Sequence, residues 1–151
     1  MKIPTLATIV VLALPVSLAA QTPPAAPPAV PDANPITTAF RGRTMSLQRN
    51  LAQAFDSIPG SKFSYKPTPK QLSIGYVAAH LANDNYFFCD KFGSMKSSRP
   101  VADTATADSV KATWPKETLV TKLKESFKFC EDAFAQLDDA KLPEQVAMTF
   151  G

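Results

Sequence analysis

Histidine is almost missing from this sequence: His80 is the single one among 151 residues. One imidazole leaves no defensible Ser–His–Asp arrangement and little for axial haem ligation. No Cys-X-X-Cys-His run is present for covalent haem attachment either. Cysteine is scarce too, with only Cys89 and Cys130. The absence of a Cys-X-X-Cys spacing argues against a redox-active pair. The five glycines form no phosphate-binding loop. Charge of one sign is also lacking: 16 basic residues face 13 acidic ones, a net of +3, spread evenly. That balance excludes a nucleic-acid or anionic-membrane surface, and no aromatic-and-basic stripe suggests single-strand binding. No β-strand pattern of useful length and no internal repeat occurs. The length suits one domain, not two.

The amino end carries a clear signal. Lys2 makes a short positive region, and Ile3 to Leu18 is almost wholly apolar, broken by Pro15. Ser17, Leu18, Ala19 and Ala20 offer small residues for cleavage after Ala19 or Ala20. The run is short for a span of about 20 residues. Residues 1–20 therefore read as a cleaved signal peptide. No stable membrane anchor then remains, and the expected location is the periplasm or outside the cell. Residues 21–35 hold six of the 14 prolines and read as a semi-rigid extended spacer. The folded domain is expected over residues 36–151.

Three long helices are expected there. The first runs from about Ile36 to Ile58, with Phe40, Thr44, Leu47, Leu51, Ala54 and Ile58 as its apolar stripe. The second starts at a capping box, with Thr68 as cap, Pro69 in the first helical position and Gln71 closing it. Its stripe is Ile74, Val77, Ala78, Leu81, Asn85, Phe88 and Phe92, and it ends near Gly93. A connection over 94–115, rich in Ser, Thr, Ala and Asp, leaves room for one short helical turn. The third helix spans about Pro115 to Asp138 on a regular seam of Val120, Leu123, Phe127, Cys130, Phe134 and Leu137. Trp114 and the phenylalanines read as packing groups. Three apolar stripes need a fourth partner to close a core. Residues 141–151 are too few for a full helix, so either this is a three-helix domain or the chain stops early, and the domain reads as incomplete at its C-terminal end.

The two cysteines lie at matching levels if the second and third helices run parallel, and far apart if they are antiparallel. A disulfide needs Cα atoms within about 7 Å. In an oxidising compartment a Cys89–Cys130 bond is the expectation, with two buried free thiols as the alternative.

Tyr65, Pro67, Ser73 and His80 lead from a proline-containing turn into a helix that bears the histidine. This stretch resembles the helix-two approach of the DinB-like (DinB/YfiT) family, and the likeness extends more loosely over 36–151. The resemblance implies an all-α four-helix bundle with an up-down-down-up course, of which this chain holds three long helices. It also implies a divalent metal, zinc or nickel, bound by three histidines. One would come from helix two and two from a His-x-x-x-His on helix four. Relatives in that family include metal-dependent thiol transferases and a maleylpyruvate isomerase. His80 occupies the helix-two ligand position, but the chain has no other histidine, so the triad is not completed here.

His80 shares a helix side with Ser73, Asp84 and Phe87. Asp84, one turn on, is the expected partner for the second ring nitrogen, with Asn83 as a weaker candidate. The resulting expectation is an exported DinB-like domain, metal-binding when complete, with transferase or hydrolase activity toward an unspecified small molecule. The alternative is a non-enzymatic helical binding module. A homodimer stays open.

Overall fold

The computed structural model describes residues 31–92 and 94–145. The signal-peptide and most of the spacer assignments, together with the run from Val146 to Gly151, lie outside the described residues. All described regular structure is helical. It comprises α1 (Pro35–Ser57), a 3₁₀ turn (Gly60–Lys62), α2 (Ile74–Cys89), α3 (Val101–Ala105), α4 (Asp108–Lys111), α5 (Lys116–Phe134) and a second 3₁₀ turn (Asp139–Lys141). None of these helices is long and apolar enough to cross a membrane.

α2 and α5 form the centre of the fold. They run parallel, since Asn85 donates to Ser126 Oγ at 2.9 Å and Cys89 is bonded to Cys130 one turn further on. The disulfide has Cα atoms 5.2 Å apart. The small buried residues Ala78, Ala79 and Ala82 on α2 let the two backbones approach, while Gly75 lies against the end of α4. A Cβ on Gly75 would sit 2.6 Å from the Ala112 carbonyl oxygen, so only glycine fits there. The regular seam of the sequence is the buried face of α5: Leu119, Val120, Leu123, Phe127, Cys130 and Phe134 are all buried, and Leu137 packs beside them.

α1 runs antiparallel to α5 and is held by polar contacts. Asp139, from the far end of the domain, accepts from the backbone N–H groups of Ile36 at 3.0 Å and Thr37 at 2.8 Å. It thereby caps a helix whose own Asn34 side chain does not. Arg41 Nη1 reaches the terminal carbonyls of α5 at Phe134, Ala135 and Leu137. At the other end Lys124 pairs with Asp56 at 2.8 Å, and Lys116 donates to the Asp56 carbonyl. The course up to α5 is therefore up-down-down.

Four sequence expectations need correction. The buried face of α1 is Thr37, Gln48 and Phe55, not the Phe40–Leu47–Leu51 stripe. At about 100° per residue that stripe lies roughly 70° away. The contacts of Thr37, Arg41 and Asp56 fix the rotation of the helix, and Phe40, Leu47 and Leu51 stay 47%, 45% and 38% exposed. Second, α2 starts at Ile74 and Ser73 is its cap, accepting from Tyr76 N–H at 3.1 Å. Thr68 to Gln71 instead close a turn, with Gln71 N–H donating to the Thr68 carbonyl at 3.0 Å. Pro69 sits at the second turn position, which its fixed φ favours. The Phe63 and Tyr65 carbonyls then take the free N–H groups of Gly75 and Ile74. Third, Val77 and Phe88 of the expected α2 stripe are 37% and 42% exposed. α1 and α2 hardly touch each other through their backbones, and each leaves an apolar strip bare. The connection over 94–115 contains two short helices, α3 and α4, where the sequence suggests room for one turn.

Candidate functional site

The site is built where the connection folds back over α2. On α2, Val77, His80, Asp84 and Phe88 follow at spacings of three and four and so form one strip. The His80 side chain is 48% exposed, at the rim of the domain, neither sealed in the core nor detached from it.

α4 brings Asp108 to the ring. Its Oδ2 lies 3.0 Å from His80 Nδ1. An ionised carboxylate only accepts, so an Nδ1–H of the ring donates to Asp108 and an Nε2–H donates to Asp84. Asp84 Oδ2 lies 3.3 Å from that Nε2. The Tyr76 ring lies beside the imidazole at a tilt of 35°, with centroids 5.8 Å apart. The structure thus brings His80 and Asp84 together as the sequence suggests, but the partner of the inner nitrogen is Asp108, which the sequence reading missed. Asp108 is 28 residues away in a stretch without periodicity. The only signal for it was an acidic residue in the first turn of a short helix.

Asn83 makes no direct hydrogen bond to the ring. It donates to Asp108 Oδ1 in a short contact and accepts from Lys111 Nζ at 3.0 Å and Arg99 Nη1 at 2.7 Å. It is the hub of a polar cluster under α3 and α4. Lys111 is only 2% exposed and also faces Asp103 at 3.6 Å, which in turn pairs with Lys122 at 3.1 Å. The Arg99 guanidinium lies over the Tyr86 ring at 4.5 Å. Burial pushes the Tyr86 hydroxyl pKa up, helped by the charge of Glu125, while Arg99 opposes the shift. A buried charge cluster of this kind is costly unless its groups are paired. Here the pairing locks α3 and α4 onto α2, and so holds Asp108 against His80.

Among the described residues no three His, Cys, Asp or Glu side chains are grouped to hold a metal ion. What the arrangement does offer is one half-exposed imidazole held between the carboxylates of Asp108 and Asp84. That suits one ligand position of a borderline-soft divalent cation, with the others open.

A family model described as the DinB superfamily matches residues 44–150. No curated protein and no solved structure matches the chain.

Proposed function

The chain belongs to the DinB superfamily, and on that premise we propose that it is an exported domain which holds a divalent metal, zinc or nickel, at His80. Its activity is then a metal-dependent group transfer or hydrolysis on a small molecule. The observation that carries this reading is the carboxylate of Asp108 at 3.0 Å from Nδ1. A carboxylate behind the ring raises the basicity of the outer nitrogen and fixes its direction, the support that metal-bound histidines commonly have. A bound metal would act there as a Lewis acid or activate water or a thiol. The residues of the chain do the rest. Asp108 keeps the proton on Nδ1, Asn83 and Lys111 keep Asp108 in place, and the Tyr76 ring lies beside the imidazole. Export is supported by the leader-like residues 1–20 and by the Cys89–Cys130 bond, which needs an oxidising compartment.

Elemental analysis of the purified protein tests the reading. We expect stoichiometric zinc or nickel in the parent protein and none in His80→Ala. Full metal content in that variant ends the proposal.

A second reading rests on a different observation. Ile36, Phe40, Leu47 and Leu51 leave a continuous apolar strip exposed on α1, as a binding module without catalysis would. A metal-free, folded protein that forms a stable homodimer or captures a partner through these residues would favour it.

A further inference from the structure

α3 is attached to the domain by a charge. Of its five residues, Val101, Ala102, Thr104 and Ala105 are exposed and only Asp103 is buried. Val101, the one branched apolar side chain the helix could turn inward, is 80% exposed. This inverts the usual order, because burying a carboxylate is costly unless cations meet it. Here they do. Asp103 Oδ1 lies 3.6 Å from Lys111 Nζ, and Oδ2 lies 3.1 Å from Lys122 Nζ.

The cleft that receives Asp103 lies between α2, α4 and α5. Ala79 and Ala82 give it apolar surface, and Tyr86 and Trp114 give it two rings. With Asp103 inside, about 10 Å³ of free space remains, no more than one water needs. Three cations line the cleft: Arg99, Lys111 and Lys122. Without Asp103 the carboxylate left beside them is Asp108, 3.9 Å from Lys111 and shared with His80. Arg99 also has a donor to spare. Its Nη1 donates to Asn83, but its Nε–H is buried without a partner.

We propose that this cleft is a binding site for a small organic carboxylate, that Asp103 fills it as a tethered stand-in, and that α3 is the lid such a ligand lifts. Asp103 shows the fit: two oxygens on one carbon, each facing a different ammonium, beside alanine methyls and aromatic rings. A free carboxylate on a short apolar stem offers the same groups and can also take the Arg99 Nε–H in a charge-assisted bond. Lifting α3 uncovers little, since its other four side chains are already exposed. α4 stays in place, because Lys111 and Asp108 both remain bonded to Asn83. Neither His80 nor a metal takes part. The tethered carboxylate competes with the free one, so the parent binds with an affinity reduced by the fraction of chains in which the cleft is open.

Trp114 is the sole tryptophan, so its fluorescence reports on the cleft. Sodium acetate and sodium butyrate are titrated into the chain at constant ionic strength set with sodium chloride, with circular dichroism to follow the fold. We expect a saturable change in emission for the parent, together with faster hydrogen exchange over Val101–Ala105. Asp103→Ala, which removes the competitor, should bind at least tenfold more tightly. Lys122→Gln and Arg99→Gln should each weaken binding tenfold or more. If Asp103→Ala is folded and gives no saturable response, or binds no more tightly than the parent, Asp103 only staples α3 and the proposal is overturned. If Asp103→Ala is unfolded, acetate should restore its structure where chloride does not, and failure to do so overturns the proposal as well. Saturation by sodium phosphate but by neither carboxylate would overturn the ligand class.

Discussion

α2 and α1 both pack on α5, yet they do so by opposite means. The α2–α5 interface is made of small residues and full burial: Ala78, Leu123 and Ala133 are wholly inaccessible, and a disulfide closes one end. The α1–α5 interface buries Thr37, Gln48 and Phe55, leaves the Gln48 amide oxygen without a partner, and depends on charged groups at both ends of the helix. A dense apolar seam with a covalent bond is a stable platform. A helix fixed by polar contacts at its ends and by few apolar anchors, chiefly Phe55, is one that another element can still join. The candidate site belongs to the stable side, because α2 carries His80 and the connection to α5 carries Asp108.

That difference can be broken from its strong side first. Loss of the disulfide in Cys130→Ser should cost about 3–4 kcal/mol, the chain-entropy value for a loop of this size, read as a lowered midpoint in urea. Leu123→Ala, at the centre of the seam, should cost about 3 kcal/mol through lost burial and the cavity left behind. Gly75→Ala should cost about 1–3 kcal/mol, because the new Cβ meets the Ala112 backbone oxygen and not a side chain that can move. The loosest side should behave otherwise. Leu51→Gln on the bare strip of α1 should change stability by less than about 0.5 kcal/mol, and a cost of 2 kcal/mol would show that the strip is covered in solution.

Acid sharpens the contrast. Burial raises the Asp139 pKa, but the N–H groups of Thr37 and Ile36, the Thr37 side chain and the Arg41 charge outweigh it and hold the carboxyl below its ordinary value of 3.8. A depressed carboxyl contributes stability above its unfolded-state value and loses it as pH falls through the folded-state value. Hydrogen exchange at Ile36 and Thr37 should therefore accelerate below about pH 4, ahead of exchange in the middle of α5. Uniform acceleration across the domain would mean that α1 and α5 open as one unit.

The same contrast explains what the sequence made legible. The α5 seam was readable because every third or fourth residue is apolar and the helix is covered on that face. The levels of Cys89 and Cys130 allow their pairing only on a parallel course, and it is the family resemblance that implies that course. α1 was readable as a helix, but its covered face was not, since polar Thr37 and Gln48 are buried while Phe40 and Leu47 are not. Periodicity reports which face is apolar, and distant polar contacts decided which face was used. The start of α2 was misread because Thr68, Pro69 and Gln71 satisfy the pattern of a cap while closing a turn. At the site, His80 and Asp84 were visible as neighbours on one helix. Asp108 was not, because its position depends on how Lys111, Asn83 and Asp103 pair beneath the connection.

The single histidine makes the decisive measurement simple, since the ring gives one pair of ¹⁵N resonances. The account predicts a neutral ring protonated at Nδ1, with the Nε2 resonance moving when zinc chloride is added and Nδ1 keeping its proton. A neutral ring protonated at Nε2 and unmoved by zinc would contradict it.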